Sequence, residues 1–424
     1  MSKSVEPLTA LMRAQGHTNI KATHKRTFEL VPESDLTESG TCIVGVSTLC
    51  DREALLRLRG QVRIELACGG CHDVVHARIN PFYIASDPLI IRTNPQAQHR
   101  SLCIDADKGS ASLDRRLVAA LRSPDAQLDI TISEIDGDRS GALFLVGMPI
   151  GNALDLSPRA IATLASVDLI LAEDPRTASS ILGDVRGRMV SFHLQNEAER
   201  TEEVLAALDE GCRVALISRA GMPVNSDTGF SLLRAAIDRD IAIGVVPGPG
   251  SASAALAVAG FPTTDVRIAG FLPAKSSARG RTLQKLGFAE HTTVVFEAAH
   301  RLREALGDIA RLLGQRRIAL CRNLTGPGEV VLRGPADEVL DQVASWPTIS
   351  GEFTIVIAPV ESVEKADLGD ELVRMATSLV AGGVPTKAIA NALSAATGAK
   401  SRDMFRAVLA LKHAMDDSHG IGRE

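Results

Sequence analysis

From about residue 141 the chain alternates short, continuously apolar runs with amphipathic helical patterns, and this rhythm restricts the fold more than any other feature. The apolar runs at 143–146, 169–172, 214–218 and 243–246 are too short for helices and too uniformly apolar for strands wetted on one face. Helical spacing follows several of them, as at 202–208 and 231–239, so the segment is expected to form a largely parallel sheet covered by helices. A second α/β block begins near Gly270, with strands expected at 293–297, 318–321 and 353–358, and two lobes with a cleft between them follow from that layout.

The preceding region is different. Up to about Asp138 it carries short alternating segments at 27–31, 42–46, 62–67, 73–78, 89–92 and 128–133, which predict a mainly antiparallel sheet. One helix is expected at 113–122, where Leu113, Leu117, Ala120 and Leu121 share a face and Ser112 stands as the N-cap. The polar stretch 136–141 reads as a linker. After residue 368 only helical periodicity remains, in three stripes punctuated by Gly382, Gly383 and Gly398. Those helices are either a small stabilising appendage or a helix-turn-helix-like RNA contact through Lys387, Lys400, Arg402 and Arg406. The expected domains are therefore an α+β domain at 1–138, two α/β lobes at 141–268 and 269–362, and a helical domain at 368–415.

The formal net charge of −5 excludes a polybasic nucleic-acid sponge, so any RNA contact must come from local basic patches. No run approaches the roughly 20 apolar residues of a spanning helix, and no apolar leader follows Met1, so a cytoplasmic protein with no membrane partner is expected. Seven cysteines without a secretory context predict reduced thiols. The motif Cys68-Gly-Gly-Cys71-His72, with His76 nearby, offers zinc ligands. However, Gly69 and Gly70 lie between two alternating runs and no second cysteine pair follows at ligand spacing, so the motif reads as a hairpin and no metal is expected.

The chemistry is expected in the loops that follow the strands, where open α/β sheets bind ligands. These read VGMPIGN (146–152), AEDPR (172–176), SFHLQNE (191–197), SRAGMPVNSDTG (218–229), PGPGS (247–251), GFLP (270–273), EAAHR (297–301), RNLTG (322–326) and GEF (351–353). Taken in this order they resemble the RsmI-type 2′-O-ribose methyltransferases of small-subunit rRNA, a branch of the tetrapyrrole methylase superfamily. The match covers roughly two thirds of the chain, and nine ordered segments are far more specific than any one.

The resemblance implies a two-lobed fold, S-adenosylmethionine as methyl donor, a homodimer, and transfer to the 2′-hydroxyl of a cytidine in the 16S rRNA of the small ribosomal subunit. By matching position it places the donor at Pro149, Gly221, Pro223, Ser226, Asp227, Pro247 and Gly248. Methylating a ribose hydroxyl requires in-line positioning and removal of a weakly acidic proton. The matched segments supply Glu173, Asp174, Arg176, His193, Glu197, Glu297, His300 and Arg301, of which Glu173, Arg176 and His300 are the first choices for catalysis. Each also has a structural reading: Glu173 and Arg176 as a mere pair, His300 as a helix cap. RNA contact is expected from Lys275, Arg279, Arg281 and Lys285, with Arg316 and Arg317.

The chain departs from the family pattern at Arg219, Met222, Val224, Asn225, Thr228 and Gly250, and also at Pro175, Gln195, Ala299, Asn323 and Gly326. Arg219, where the family has Asp, reverses a charge beside a cationic donor. A non-catalytic RNA- or ribosome-binding protein, or a methylase of a tetrapyrrole or other small molecule, is therefore the alternative. Residues 16–25, 42–46 and 104–108 resemble an archaeal-type domain family of unknown function, with His17, His24, Asp105 and Lys108 as candidates for a polar pocket or for turn roles.

Overall fold

The computed structural model describes residues 7–84, 87–95, 100–135, 141–183, 185, 187–224, 228–287, 289–360, 370–397 and 401–419. The chain divides into two units, residues 1–254 with 322–330, and residues 255–321 with 331–424.

In the first unit, eight strands close into a barrel: β1 (Thr9–Gln15), β2 (Thr27–Leu30), β3 (Ile43–Cys50), β4 (Gln61–Cys68), β5 (Cys71–Ile79), β6 (Leu89–Arg92), β7 (Ser101–Ile104) and β8 (Gln127–Glu134). The order is β1-β3-β2-β6-β7-β5-β4-β8, and β8 pairs back onto β1. Strict alternation drives the closure. In β1 and β4 every second residue is buried, so Ala10, Met12, Val62, Ile64 and Leu66 enter one core with Phe28 while the intervening polar residues face water. The expected hairpin is present: Cys68 opposes Cys71, and Gly69 and Gly70 both hold left-handed φ, +57° and +77°, as a two-residue hairpin turn requires.

The sheet is mainly antiparallel, as expected, and two neighbouring pairs, β2 with β3 and β6 with β7, are parallel. A second helix, Arg52–Arg57, accompanies the expected one, which spans Arg115–Ala120. Its N-cap is Asp114, whose carboxylate accepts the Arg116 amide at 2.7 Å, while Ser112 ends a 3₁₀ turn instead. Of their two readings, His17, His24, Asp105 and Lys108 take the separate turn and pairing roles. His17 faces Asp35, the His24 ring accepts the Arg26 amide, Asp105 pairs with Arg78 and Lys108 with Asp73.

The linker expected at 136–141 lies outside the described residues apart from Gly141. Beyond it, β9 (Ala142–Val146), β10 (Leu169–Ala172), β11 (Arg188–Ser191), β12 (Arg213–Ile217) and β13 (Ala242–Val246) form a sheet of order β11-β10-β12-β9-β13. Every neighbouring pair is parallel. Central β12 is buried along its whole length, which explains its unbroken apolar run. Barrel and sheet are tied together within this unit. Arg59 donates to Asp168 at 2.7 Å and to the Gly211 carbonyl at 2.6 Å, and the Arg213 guanidinium donates to the Tyr83 carbonyl and lies over the Phe144 ring. Phe82 packs edge-on against Phe144 and fills the space above Gly244.

The second unit holds β14 (Val266–Phe271), β15 (Thr292–Ala298), β16 (Arg317–Arg322), β17 (Val330–Pro335) and β18 (Glu352–Ile357), ordered β14-β15-β18-β16-β17. This sheet is mixed, with β14 parallel and β18 antiparallel to β15. Its C-terminal helices, Asp370–Ala381, Thr386–Thr397 and Ser401–His419, bury Ala376, Ile389, Ala390, Leu393, Met404 and Val408 against one another. Met375, on the first of these helices, is 48% exposed.

Candidate active site

The site is built from loops at the ends of β9, β12 and β13, together with the segment 322–330. Gly147 follows β9 and Gly248 follows β13, and their backbones touch: a Cβ added to Gly147 would stand 2.6 Å from Gly248 Cα and 2.8 Å from Met222 Sδ. Only glycine permits that approach. Two backbone hydrogen bonds between Met148 and Gly221, of 2.8 and 3.1 Å, lock the first loop to the loop after β12, and the Ser218 hydroxyl donates to the Gly221 carbonyl at 2.9 Å. On the other side, Gly151 lies against the Leu324 carbonyl and Gly326.

These loops surround an open hollow of about 620 Å³, lined by Ile150, Asp155, Pro247, Gly248, Ser253 and Thr325 among others. That size is within the range of small-molecule sites, roughly 300–1,000 Å³. Its lining is largely apolar and backbone, with one conspicuous polar group: Asp155 Oδ2 is buried without a hydrogen-bond partner among the described residues. A buried, unpartnered carboxylate oxygen costs free energy unless a ligand supplies a donor. Thr325 adds strain, for its φ of +65° is rare for a β-branched residue.

The structure brings together part of the expected donor set. Pro247 and Gly248 line the hollow, and Gly221 supports it through the Met148 bridge. Pro149 and Pro223 are buried in the same two loops. Ser226 and Asp227 lie outside the described residues. Sequence reasoning missed Asp155 and Thr325. Asp155 lies three residues beyond the VGMPIGN segment, and the signal that points to it is the 3₁₀ turn Ala153–Asp155, capped by Asn152, that follows a glycine-rich strand end.

Arg219 and Met222, two of the departures from the family pattern, do not line the hollow. Arg219 is exposed and borders a smaller crevice with Glu173 and Asp174. Glu173, half-buried at the end of β10, accepts from the Thr228 hydroxyl at 3.4 Å, while Arg176 is exposed on the helix Pro175–Leu182. Asp174 caps that helix: hydrogen bonds from the Thr177 hydroxyl and the Arg176 amide hold its carboxyl below the usual range. Pro175, in place of the family's threonine, fits the first helical position. Glu197 is also structural, since its carboxylate accepts the Gly229 and Ser231 amides at the start of the next helix.

His300 belongs to the second unit, exposed in the 3₁₀ turn Ala299–Arg301. Beside it Glu297 is fully buried and paired with Arg301 at 2.7 Å. Of the expected RNA contacts, Lys275, Arg281 and Lys285 are exposed on or next to the helix Ser276–Leu286. Arg279 requires correction. It is fully buried and bonded to Asp308 and Glu304, and it faces inward because Leu283 and Leu286 of the same helix share its side. Asp308 is held below the ordinary carboxylate range, because Arg311 and Arg279 outweigh the opposing effect of burial. Arg316 is likewise engaged, donating to the Ala358 and Gly287 carbonyls.

A parallel sheet whose strand-end glycines pack together beside a ligand-sized hollow has the layout of an open α/β protein that binds a ligand at its strand ends. The tetrapyrrole (corrin/porphyrin) methylase family model matches residues 142–340, and a domain of unknown function (DUF371) matches residues 12–135. Ribosomal RNA small subunit methyltransferase I of Mesorhizobium japonicum is 36% identical over 282 residues, covering 66% of this chain and 95% of the relative. That of Thermotoga maritima is 38% identical over 223 residues, covering 52% of this chain and 100% of the relative. The chain belongs to the ribosomal RNA small subunit methyltransferase I family. Among solved structures, the methyltransferase CobJ is similar with a TM-score of 0.43 and 18% identity, covering 52% of this chain and 95% of that one.

Proposed function

We propose that the chain methylates the 2′-hydroxyl of a cytidine in small-subunit rRNA, taking the methyl group from S-adenosylmethionine. The observation that carries this reading is the hollow at the Gly147–Gly248 contact, in a chain related to rRNA methyltransferases over most of their length. Its residues fit the donor. Pro247 and Gly248 offer backbone groups to a nucleoside, and the unpartnered Asp155 carboxylate suits a hydroxyl or cationic group. Pro149, Gly221 and Pro223 hold those loops in place, and Ser226 and Asp227 are assigned to the same set by matching position. The bound donor supplies an activated methyl carbon on a sulfonium.

Removal of the ribose proton is assigned to Glu173, the half-buried carboxylate at the β10 end, with Arg176 and His300 as the groups that position the substrate or steady developing charge. Lys275, Arg281 and Lys285 grip phosphates. The reading includes a homodimer working on the small ribosomal subunit in the cytoplasm, with domains at 1–138, 141–268, 269–362 and 368–415. The exclusion of Arg219 and Met222 from the hollow favours the enzyme over a non-catalytic binding protein. Calorimetric titration with S-adenosylmethionine should give saturable heat that Asp155→Ala weakens. Mapping of 2′-O-methyl groups should then show one rRNA site lost in cells without the protein. No heat at millimolar donor, or an unchanged methylation map, overturns the proposal.

A further inference from the structure

Many cations of the barrel are paired. Arg13, Arg52, Arg78 and Lys108 each face a carboxylate, respectively Asp129, Asp87, Asp105 and Asp73. Lys21, Lys25, Arg26 and Arg115 meet none among the described residues, nor do Arg92, Arg100 and Arg122, but the first four are exposed together on one feature, the loop between β1 and β2 and the helix beneath it. The loop sequence GHTNIKATHKR (16–26) carries three cations and two histidines without a single carboxylate, in a chain of net charge −5.

The loop is also fixed in shape. The Arg115 guanidinium donates to the carbonyls of Ala22 and Lys21 at 2.9 and 3.2 Å, and the His24 amide donates to Ser110 Oγ at 3.0 Å. Lys21 Nζ rests on the Glu38 carbonyl at 2.6 Å. A Cβ on Gly109 would lie 2.4 Å from the Lys25 carbonyl oxygen, so the two segments are in close contact. Cations displayed by a pre-ordered loop lose little conformational freedom on binding an anion. The apolar side chains of the loop, Ile20 and Ala22, are fully buried, so no wedge is available to enter a lipid surface.

We propose that the loop 16–26, with Arg115, is a second RNA-binding surface that engages phosphates of the RNA on which the methylase acts. The identity of that RNA rests on the function proposed above. Phosphate contacts position a nucleic acid without reading its sequence. Because the barrel shares a unit with the donor hollow and is joined to the first methylase sheet by Arg59–Asp168, the surface acts as an anchor for the bound RNA.

The test compares the full-length protein with its Lys21→Glu, Lys25→Glu, Arg26→Glu triple variant, binding a small-subunit rRNA transcript from about 50 to 200 mM salt. We expect roughly tenfold or greater loss of affinity and a salt slope shallower by about 2–3, with donor binding unchanged. Arg57→Glu, which removes a carboxylate-paired barrel cation, should leave both quantities unchanged. Should the triple variant fail to fold, Lys25→Gln with Arg26→Gln should still flatten the slope by about 2. Wild-type affinity and slope in a folded variant overturn the anchor alone if the parent protein binds donor and methylates the transcript. Absence of any rRNA binding by the parent protein overturns both readings. Loop-dependent binding to phosphatidylserine vesicles with unaltered RNA affinity overturns the anchor in favour of lipid.

Discussion

In the barrel, β1 buries every second residue, whereas β12 of the neighbouring parallel sheet buries all five of its residues. The barrel therefore keeps a face of side chains for solvent, and what it offers a partner is charge. The central strand of the parallel sheet has both faces covered, and the hollow lies among the backbone-rich loops at the strand ends. In the barrel, function is open to exposed substitutions that leave the core alone. In the sheet, the hollow and the packing share the same glycines.

The sharpest way to break this contrast is Gly147→Val. With 2.6 Å between its Cβ and Gly248, the strand-end loops must separate, and donor affinity should fall at least about 100-fold, some 2.7 kcal/mol by calorimetry. Near-normal binding would mean that the donor sits elsewhere. The next largest effect is expected at the joint between the two regions. Arg59→Ala leaves the Asp168 carboxylate without its guanidinium and frees the Gly211 carbonyl, at a cost of about 3 kcal/mol. Thermal unfolding of the variant should split into separate barrel and sheet transitions, and a single unshifted transition would contradict a structural role for the pair.

A smaller effect is expected at Asp73 in the barrel. Burial raises the Asp73 carboxyl, but the Lys108 ammonium and the Asp114 and Val74 amides outweigh it and hold it below the ordinary range. A depressed folded value stabilises the barrel above about pH 4 and ceases to do so as pH falls through that value. Asp73→Asn should cost about 1–2 kcal/mol at neutral pH and flatten the acid limb of the stability profile. An unchanged acid limb would locate the acid sensitivity in other carboxylates. The smallest change is Gly70→Ala, where a Cβ meets nothing within 4 Å and only the φ of +77° resists. Its cost of about 1 kcal/mol should appear in denaturant unfolding without altering donor binding.

Much of this was legible in the chain. Unbroken apolar runs placed β9, β10, β12 and β13, and Gly69-Gly70 placed the hairpin, because those signals are local. The β11 strand, RMVS, has too little apolar content to stand out, and β1, TALMRAQ, alternates with alanine and methionine rather than β-branched residues. Barrel closure depends on β8 returning to β1 across more than 100 residues, and no local pattern encodes that pairing. Pro247 and Gly248, singled out by their motif, line the hollow. Asp155 was not singled out, since a single carboxylate becomes informative only once its oxygen is seen buried and unpartnered. Arg279 misled for the opposite reason. Four cations in one stretch suggest a solvated face, and only the packing of Leu283 and Leu286 shows that one of them turns inward to Asp308.

The wall of the hollow that carries Thr325 arrives late along the chain. Residues 322–330 belong to the first unit, yet residues 255–321, which lie between, belong to the second. During synthesis the barrel and the parallel sheet emerge well before the segment that finishes their ligand site. A nascent chain halted near residue 254 would hold a folded platform with one side of its hollow missing, so the hollow is complete only after residues 255–321 of the second unit have been made.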